Sequence, residues 1–374
     1  MTNKGVIEFS PDYAQEHAGA YLGWALESRG IKQVDFAKRC GRPPKTISEI
    51  IAGRNAITPE TAIQFEKVLG DSANYWLALE CNYQLQQARV RETVVLSDQA
   101  AEWVGKFPYS QMVKKGFIQS VRSVEEKLEY LLRYFGVSTP DAFEGYWSDK
   151  VSFSKFKQHN HHEIDPYAVA AWLRRGELIG HGISCEKYNE SRFKDVLSEI
   201  RTLTMRPWGE ISEELVSVCA SAGVALATVP FLSKTGLRGS ASWLNKDKAL
   251  IILSDWGKYE EKIWFSFFHE ACHILHHSKK AVFVDHQSGG SEEDAIEQEA
   301  DNFSADAIIS DSSISEFLSI YGRSLKNLRS EQVRSFANSI GIAPGLFLQR
   351  LQFENCVPMG SRLNTSLKRK VSFK

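Results

Sequence analysis

The sequence lacks several features that would place it in other protein classes. It has no run of eighteen apolar residues, which a membrane-spanning helix requires, and its first thirty residues contain no secretory hydrophobic segment. We therefore expect a cytoplasmic protein with no membrane partner. The formal net charge of −1 excludes a bulk polycation. The 374 residues, 43% of them hydrophobic, are enough for two or three packed domains.

Cysteine is scarce and shows no chemical pattern. The six cysteines, which form neither a CxxC motif nor any paired short spacing, are Cys40, Cys81, Cys185, Cys219, Cys272 and Cys356. This distribution argues against a disulfide framework and against a cysteine zinc site. We expect the thiols to be small buried hydrophobic groups.

A motif of a different kind, His269-Glu270-Ala271-Cys272-His273, is the most informative stretch. On a helix the two histidines stand one turn apart on the same face, so their imidazoles can bind one Zn²⁺. Glu270 can act as general base on a water whose pKa the metal lowers. An apolar stripe from Ile263 to Leu275 would bury the helix. The motif predicts a metallohydrolase site, against the alternative of a structural histidine pair.

A catalytic zinc takes three protein ligands, so one more must come from elsewhere in the chain. A second amphipathic helix, predicted from Glu292 to Ile309, carries the sequence Glu297-Gln298-Glu299-Ala300-Asp301. We expect Glu297 to be the third ligand, with Glu299 as the alternative. Asp301, one turn further on, can accept a hydrogen bond from the other ring nitrogen of a ligating histidine. Two histidines and a carboxylate also accept Mn²⁺ or Fe²⁺.

Other groups could bind metal but are not expected to do so. The Cys272 side chain points about a third of a turn away from the two histidines on a helix. His276 and His277 are expected to be exposed or to support the ligands from outside. A polar tract with His159, His161 and His162 is expected to be solvated.

These residues carry a resemblance to a known family. The segment 264–277, followed by 297–303, resembles the ImmA/IrrE family of bacterial metallo-endopeptidases, and the likeness extends over roughly residues 165 to 360. It implies a gluzincin-like peptidase domain with Zn²⁺ as cofactor and a protein substrate. Cys272 stands where the family usually has a small residue such as glycine, and the second helix lacks the proline that commonly ends it. Neither departure removes a ligand.

A second motif lies near the other end of the chain. Residues 32–41 and 44–53 are predicted to form two short helices joined by a tight turn at Gly41, which is typical of a helix-turn-helix. Between Arg29 and Arg54 there are seven Lys and Arg residues and two acidic ones, a local excess that suits phosphate contact. The motif predicts DNA binding, against the alternative of a helical pair used only for packing or dimerisation.

Residues 10 to 90 resemble the HigA-type antitoxins within the lambda-repressor-like helix-turn-helix class. The resemblance implies five helices, a homodimer on a palindromic operator in double-stranded DNA, and a possible toxin partner. It places the DNA contacts at Gln33, Lys45, Thr46, Ser48 and Arg54. The first and last of these are expected on phosphate and the others nearer bases. Glu49 is an unusual residue at a reading position.

Together the patterns predict a mainly α protein of the α+β class. We expect a five-helix DNA-binding domain at residues 1–92, a helical connector at 93–164, a peptidase domain with a small β-sheet at 165–310 and a C-terminal helical extension at 311–374. Three strands should precede the active helix, at 224–231, 237–244 and 250–254. Residues 237–243 are expected to be an edge strand that could hold an extended substrate by β-augmentation. Tyr259, Arg238 and His277 are all possible oxyanion-stabilising residues.

The two halves predict a DNA-binding transcriptional regulator or antitoxin that carries a zinc-dependent endopeptidase. Cleavage of a regulatory protein, either itself or a partner, would be part of a switch, and DNA binding would keep the protein at the nucleoid. One alternative is a DNA-binding antitoxin of a toxin–antitoxin system whose metal site is non-proteolytic. Glu270 argues against it, because a purely structural site needs no base. Another is a peptidase whose helix-turn-helix no longer binds DNA, which would show no salt-dependent duplex affinity.

Overall fold

The computed structural model describes residues 17–151, 164–277, 283–284, 291–322, 325 and 328–373, with the backbone alone at 92–99, 148–149, 283–284 and 291–294. The chain divides into two compact units, Met1–Ala101 and Glu102–Lys374. The tract with His159, His161 and His162 lies outside the described residues. None of the described helices is both long and apolar enough to cross a membrane.

The amino-terminal unit is a bundle of five helices around a small apolar core. The helices are α1 (Ala18–Ser28), α2 (Gln33–Arg39), α3 (Pro44–Ile51), α4 (Pro59–Leu69) and α5 (Ala73–Gly105). Phe36, Phe65 and Trp76 are fully buried, with ring centroids 5.1 Å apart for the first pair and 5.3 Å apart for the second. The predicted five-helix fold is confirmed. Helix α5 continues without a break through residue 92, where the sequence predicted a domain boundary.

Local sequence explains where these helices begin and end. Between α2 and α3 the chain turns at Gly41, whose φ of 65° lies in the left-handed region that favours glycine. Thr58 caps α4, because its side-chain oxygen accepts a hydrogen bond of 3.3 Å from the backbone N–H of Thr61. Pro59 occupies the first helical position, where its missing N–H costs nothing. The α2–α3 pair is therefore the predicted helix-turn-helix.

The second unit is mainly helical and contains a small sheet, as predicted. Its helices are α6 (Tyr109–Lys114), α7 (Val124–Phe135), α8 (Pro140–Val151), α9 (Pro166–Gly182), α10 (Glu190–Leu203), α11 (Trp208–Ala220), α12 (Glu260–His276), α13 (Ser291–Ile308), α14 (Asp311–Tyr321), α15 (Ser330–Ser339), α16 (Pro344–Phe353) and α17 (Leu363–Leu367). Its strands are β1 (Val224–Val229), β2 (Gly239–Asn245), β3 (Lys248–Ser254) and β4 (Phe283–Val284).

The sheet has the strand order β1-β3-β2-β4. Strand β1 pairs with β3 in parallel, and β2 pairs with β3 in antiparallel orientation. On its other side β2 pairs with β4 at Ser240 and Ala241. The prediction that residues 237–243 form an open edge is therefore wrong at these two positions, because β4 already occupies their outer side. The strand itself lies where the sequence predicted it.

Helix α12, which carries the HExxH motif, contacts β2 and β3 on one side and α13 on another. Ile263, Trp264, Phe267 and Phe268 are buried in the main core of the second unit. Burial of a large apolar side chain contributes about 1.5–3 kcal/mol relative to exposure. The apolar face therefore fixes the rotation of the helix, and this rotation decides where its polar residues point.

The first turn of α12 is held by the C-terminal segment of the chain. The backbone N–H of Glu260 donates to the carbonyl of Arg369 at 2.9 Å, and the N–H of Val371 donates to the carbonyl of Lys258 at 3.1 Å. The Arg369 guanidinium lies 2.8 Å from the buried Glu260 carboxylate. These contacts position the amino-terminal end of the active helix.

Glu261 is a second buried carboxylate at this end of α12. Its Oε1 accepts a hydrogen bond of 3.2 Å from the backbone N–H of Arg369, and it packs so closely on Gly345 that a Cβ there would lie 2.0 Å away. Burial raises the pKa of the Glu261 carboxyl from 4.5 to about 7, although the hydrogen bonds and nearby Lys368 act in the opposite direction. Ionised Glu261 is therefore costly to keep inside the fold.

We expect Glu261 to lower the free energy of unfolding as the pH rises. Because its pKa is raised on folding, the stability it contributes is full below about pH 4.5 and is lost as the pH rises through about 7. A shift of this size corresponds to about 3 kcal/mol. Glu261→Gln should remove this part of the pH dependence, measured by chemical denaturation of the metal-free protein between pH 5 and 8.

The matched control is Glu213→Gln, which changes an exposed glutamate of α11. It should keep the wild-type pH dependence. Identical pH profiles for the two variants would show that Glu261 does not carry the effect.

Candidate metal centre and nucleic-acid interface

The HExxH residues lie on the inward face of α12. His269, Glu270 and His273 are almost completely inaccessible, with 2%, 0% and 2% of their surface exposed. Buried polar groups are costly unless they are paired or bind a ligand. The side chains that surround these three residues therefore indicate which kind of ligand the site can bind.

Three donor atoms converge from two helices. The Nε2 atoms of His269 and His273 lie 3.1 Å apart. Glu297 on α13 places its Oε2 3.1 Å from Nε2 of His269 and its Oε1 3.6 Å from Nε2 of His273. Ligand atoms ~2.1 Å from a tetrahedral zinc lie ~3.4 Å from one another, so this spacing suits one ion. The residues fit the metal that the motif implies.

The protonation state of His273 also suits a metal ligand. Burial, together with the neighbouring His269 and His277, lowers the pKa of its imidazole to about 3. The ring is therefore neutral at physiological pH, which leaves a nitrogen lone pair available.

Each histidine has a partner at its other ring nitrogen. The Nδ1 atom of His269 lies 3.0 Å from Oδ1 of Asp301, as the sequence predicted for a supporting carboxylate. The Nδ1 atom of His273 lies 2.8 Å from Nδ1 of His277. Glu299, the alternative ligand, lies with its Oε2 3.6 Å from Nε2 of His277 and is more than half exposed. The structure thus brings Glu297, and not Glu299, to the two candidate ligand nitrogens.

Glu270 packs directly against the start of β2. A Cβ on Gly239 would lie 2.5 Å from Oε1 of Glu270, so only glycine lets the strand and the carboxylate approach this closely. This contact was not predicted, and its one signal in the sequence is a glycine inside the strand predicted at 237–244. Gly239 therefore helps to set the position of the candidate base.

Cys272, which the sequence does not predict to bind metal, lies beside the candidate ligands on α12 and is buried. Burial, together with the nearby Glu299 and Glu297 carboxylates, raises the pKa of its thiol to about 12. The metal-binding form of cysteine is the thiolate. The burial of Cys272 fits the prediction of small buried hydrophobic groups, whereas Cys81 is exposed and the prediction is wrong there.

The three oxyanion candidates differ in position. Tyr259 immediately precedes α12, about 15 Å along the helix axis from His269 at 1.5 Å per residue. The ring nitrogens of His277 face His273 and Glu299. Arg238 adjoins Gly239, which contacts Glu270, and its guanidinium lies 5.2 Å from the Trp256 ring centroid. Of the three, Arg238 is the one that precedes, in the chain, a residue in contact with Glu270.

The predicted DNA contacts form an accessible surface on α2, α3 and the turn that follows. Four of them are exposed and Thr46 is half-buried; the exposed ones are Gln33, Lys45, Ser48 and Arg54. Behind them Phe36, Ile47 and Ile50 are buried. The apolar face holds the two helices in the core and leaves the polar face free for a ligand.

Glu49, which looked unusual for a reading position, has local partners. Its Oε2 accepts a hydrogen bond of 2.7 Å from Nδ2 of Asn55, and its Oε1 lies 3.8 Å from the Lys45 ammonium. The carboxylate therefore supports the turn after α3. Because the negative charge of Glu49 has these partners within the protein, it repels the phosphates of a bound duplex less strongly.

Comparisons with known proteins find a matching family for each of the two predicted domains. A helix-turn-helix family model matches residues 22–76, and a peptidase family model described as an IrrE N-terminal-like domain matches residues 219–343. An uncharacterized HTH-type transcriptional regulator, YddM of Escherichia coli (strain K12), is 33% identical over 70 residues, which is 19% of this chain and 74% of that protein. The chain belongs to the helix-turn-helix family. Its second unit carries the IrrE N-terminal-like peptidase domain.

Other similar proteins cover short parts of the chain. Virulence-associated protein A of Dichelobacter nodosus is 33% identical over 63 residues, 17% of this chain and 62% of that protein. A solved structure of a putative antidote protein of a plasmid maintenance system from Nostoc punctiforme is 29% identical and covers 22% of this chain and 91% of its own, with a TM-score of 0.22. An addiction module antidote protein of a HigA family from Coxiella burnetii is 23% identical and covers 23% and 94%, with a TM-score of 0.21.

We expect the two glutamates of α13 to differ sharply in their effect on metal affinity. Loss of a residue that only supports a ligand typically costs 10–100-fold, so Glu297→Gln, which removes a direct donor, should cost on the order of 100-fold or more. Glu299→Gln keeps a side-chain oxygen that can still face the Nε2 of His277, so it should cost less than about tenfold. Zinc affinity is measured by competition with a chromophoric chelator. An equal loss of zinc affinity in both variants would indicate that Glu299 also binds the metal.

Proposed function

We propose that this protein is a DNA-binding transcriptional regulator or antitoxin that carries a zinc-dependent endopeptidase. The observation that carries the peptidase assignment is the convergence of His269, His273 and Glu297 beside the buried carboxylate of Glu270. The match to an IrrE N-terminal-like domain over residues 219–343 supports it. The exposed polar face of α2 and α3 supports the DNA-binding assignment.

In the proposed reaction His269, His273 and Glu297 hold the zinc, while Asp301 and His277 contact the outer nitrogens of the two histidines. When bound, Zn²⁺ supplies a Lewis acid that lowers the pKa of the attacking water and polarises the scissile carbonyl. Glu270 would take one proton of the attacking water, whose oxygen bonds to the scissile carbonyl carbon, and would deliver that proton to the amide nitrogen as the carbon–nitrogen bond breaks. Gly239 keeps this carboxylate in place through its close backbone contact.

The proposed substrate is a regulatory protein, either another copy of this chain or a separate partner such as a toxin. A DNA-binding domain on the same chain would bring the peptidase to proteins assembled at the same operator. Binding as a homodimer to a palindromic operator would place two copies side by side. Cleavage there would change the occupancy of the operator.

The competing candidate is a DNA-binding antitoxin whose metal site is non-proteolytic. The resemblance of residues 10 to 90 to the HigA-type antitoxins is the reason to consider an antitoxin role. Burial of Glu270 argues against a non-proteolytic site, because burying an acidic side chain costs free energy, and a structural metal site needs a third ligand but no general base. We therefore favour the peptidase.

Glu270→Gln should abolish proteolysis and keep zinc. The amide preserves the shape of the side chain but cannot accept the proton of the attacking water. The measurement is an intact-mass time course of the full chain with Zn²⁺, alone and with candidate partner proteins. Wild type should give defined fragments that the variant does not, and Glu213→Gln should cleave like wild type.

Two results of this experiment would contradict the peptidase assignment. Fragments formed equally fast by Glu270→Gln would come from a different protease. Stoichiometric zinc without any fragments from wild type and all candidate partners would favour the non-proteolytic antitoxin.

Arg54→Ala should weaken duplex binding about uniformly across DNA sequences and reduce the slope of log affinity against log salt by about 1, because the expected contact is to phosphate. Ser48→Ala should instead change the preferred sequence, at about 1–3 kcal/mol per affected base contact. Binding of the full chain to random duplexes, and selection from a random library, measure the two effects. Lys67→Ala, at an exposed position of α4, is the control. Equal losses of duplex affinity for Lys67→Ala and Arg54→Ala would show that α2, α3 and the turn after them are not the DNA-binding surface.

A further inference from the structure

We propose that His277 is a positioning residue that orients His273 for metal binding, and that Glu299 in turn orients His277. The inference rests on the proposed metal site. It assigns a role to two residues that are not themselves donors to the metal. It also explains why the Glu299 carboxylate stays near the site although Glu297 reaches the ligand nitrogens.

His277 is fixed over His273 by the last turn of α12. Its backbone N–H donates to the carbonyl of His273 at 3.2 Å, which caps the helix. Residues four apart on a helix face the same side, so the two imidazoles meet, with ring centroids 4.9 Å apart and planes inclined by 47°. The His277 side chain is 9% exposed. Its position is therefore set by the backbone and by packing.

The 2.8 Å contact between the two Nδ1 atoms requires one proton between them, because one nitrogen must donate and the other accept. The Nε2 atom of His273 faces Nε2 of His269 and Oε1 of Glu297, so it must keep its lone pair to bind metal. The proton of His273 therefore belongs on Nδ1, which donates to His277. The hydrogen-bond network fixes the tautomer that the metal requires.

The tautomer of His277 follows from the same hydrogen bond. With its Nδ1 accepting, a neutral His277 carries its proton on Nε2. That nitrogen lies 3.6 Å from Oε2 of Glu299, a favourable electrostatic contact between an N–H dipole and a carboxylate. His273 thus contacts the His277 imidazole, which in turn contacts the Glu299 carboxylate. His269 instead contacts the Asp301 carboxylate directly, at 3.0 Å.

The test compares His277→Ala with His277→Asn in the full chain. Alanine removes the acceptor, and we expect zinc affinity to fall by 10–100-fold, the usual cost of losing such a partner. The amide oxygen of asparagine stands close to where Nδ1 of histidine was, so it can still accept from His273, and affinity should return to within about threefold of wild type. Affinity is measured by chelator competition.

A second readout separates orientation from a general loss of structure. Co²⁺ bound in place of zinc reports the ligand geometry through its visible absorption, which should change in His277→Ala and be restored in His277→Asn. His276→Ala, which changes an exposed neighbour at the end of the same helix, should bind both metals like wild type. Circular dichroism of the metal-free proteins verifies that the variants fold.

The outcomes distinguish this inference from the proposed function. Wild-type zinc affinity and an unchanged cobalt spectrum in His277→Ala would overturn it, as would an equal loss in His276→Ala. Failure of asparagine to restore affinity would overturn the acceptor role. Failure of wild type to bind zinc would overturn both proposals. Zinc binding that depends on His277 without any proteolysis would support the inference and count against the peptidase alone.

Discussion

The second unit depends on one constraint: helix α12, most of whose residues are buried, must carry polar groups on its buried face. Helix α12 buries large apolar side chains against the sheet and also buries His269, Glu270 and His273. Polar groups in such a place need partners, because the protein interior offers no water to replace a missing hydrogen bond. The arrangement of α13, of the start of β2 and of the last turn of α12 follows from this requirement. Each of them brings a carboxylate, a ring nitrogen or a close backbone to one of these side chains.

The two ends of α12 are held by different means. At the amino-terminal end the C-terminal segment pairs with the helix through Arg369 and the buried carboxylates Glu260 and Glu261. At the other end His277 closes the last turn and contacts His273. A catalytic group must be held to within a fraction of an ångström, and a helix fixed at both ends provides this rigidity. The site is therefore built by the whole second unit rather than by the motif alone.

The amino-terminal unit has an apolar core and an exposed polar face. Its core of Phe36, Phe65 and Trp76 is local to the five helices, and its polar face stays in solvent. Joining such a unit to a peptidase domain in one chain raises the local concentration of the peptidase near anything bound at the same DNA site. In the proposed function this proximity, more than the affinity of the peptidase for its substrate, would select what is cut.

The sequence by itself determined the features that depend on local periodicity. The helical spacing of His269 and His273, the turn at Gly41 and the cap at Thr58 need no information from distant residues, since they depend on neighbours within four positions. The five amino-terminal helices and the three longer strands were predictable for the same reason. The contact of His277 with His273 also belongs to this class, because it follows from an i, i+4 spacing.

Only the tertiary structure decided which distant residues meet. Glu297 and Glu299 are two positions apart, and the register of α13 against α12 determines which carboxylate faces the histidines. The contact of Gly239 with Glu270 and the pairing of β4 with β2 likewise join segments that lie far apart in the chain. Such contacts depend on how whole elements pack, and packing depends on the shapes of many side chains together. The candidate chemistry could therefore be predicted from the motif, whereas the position of Glu297 beside the two histidines and the closed side of β2 required the fold.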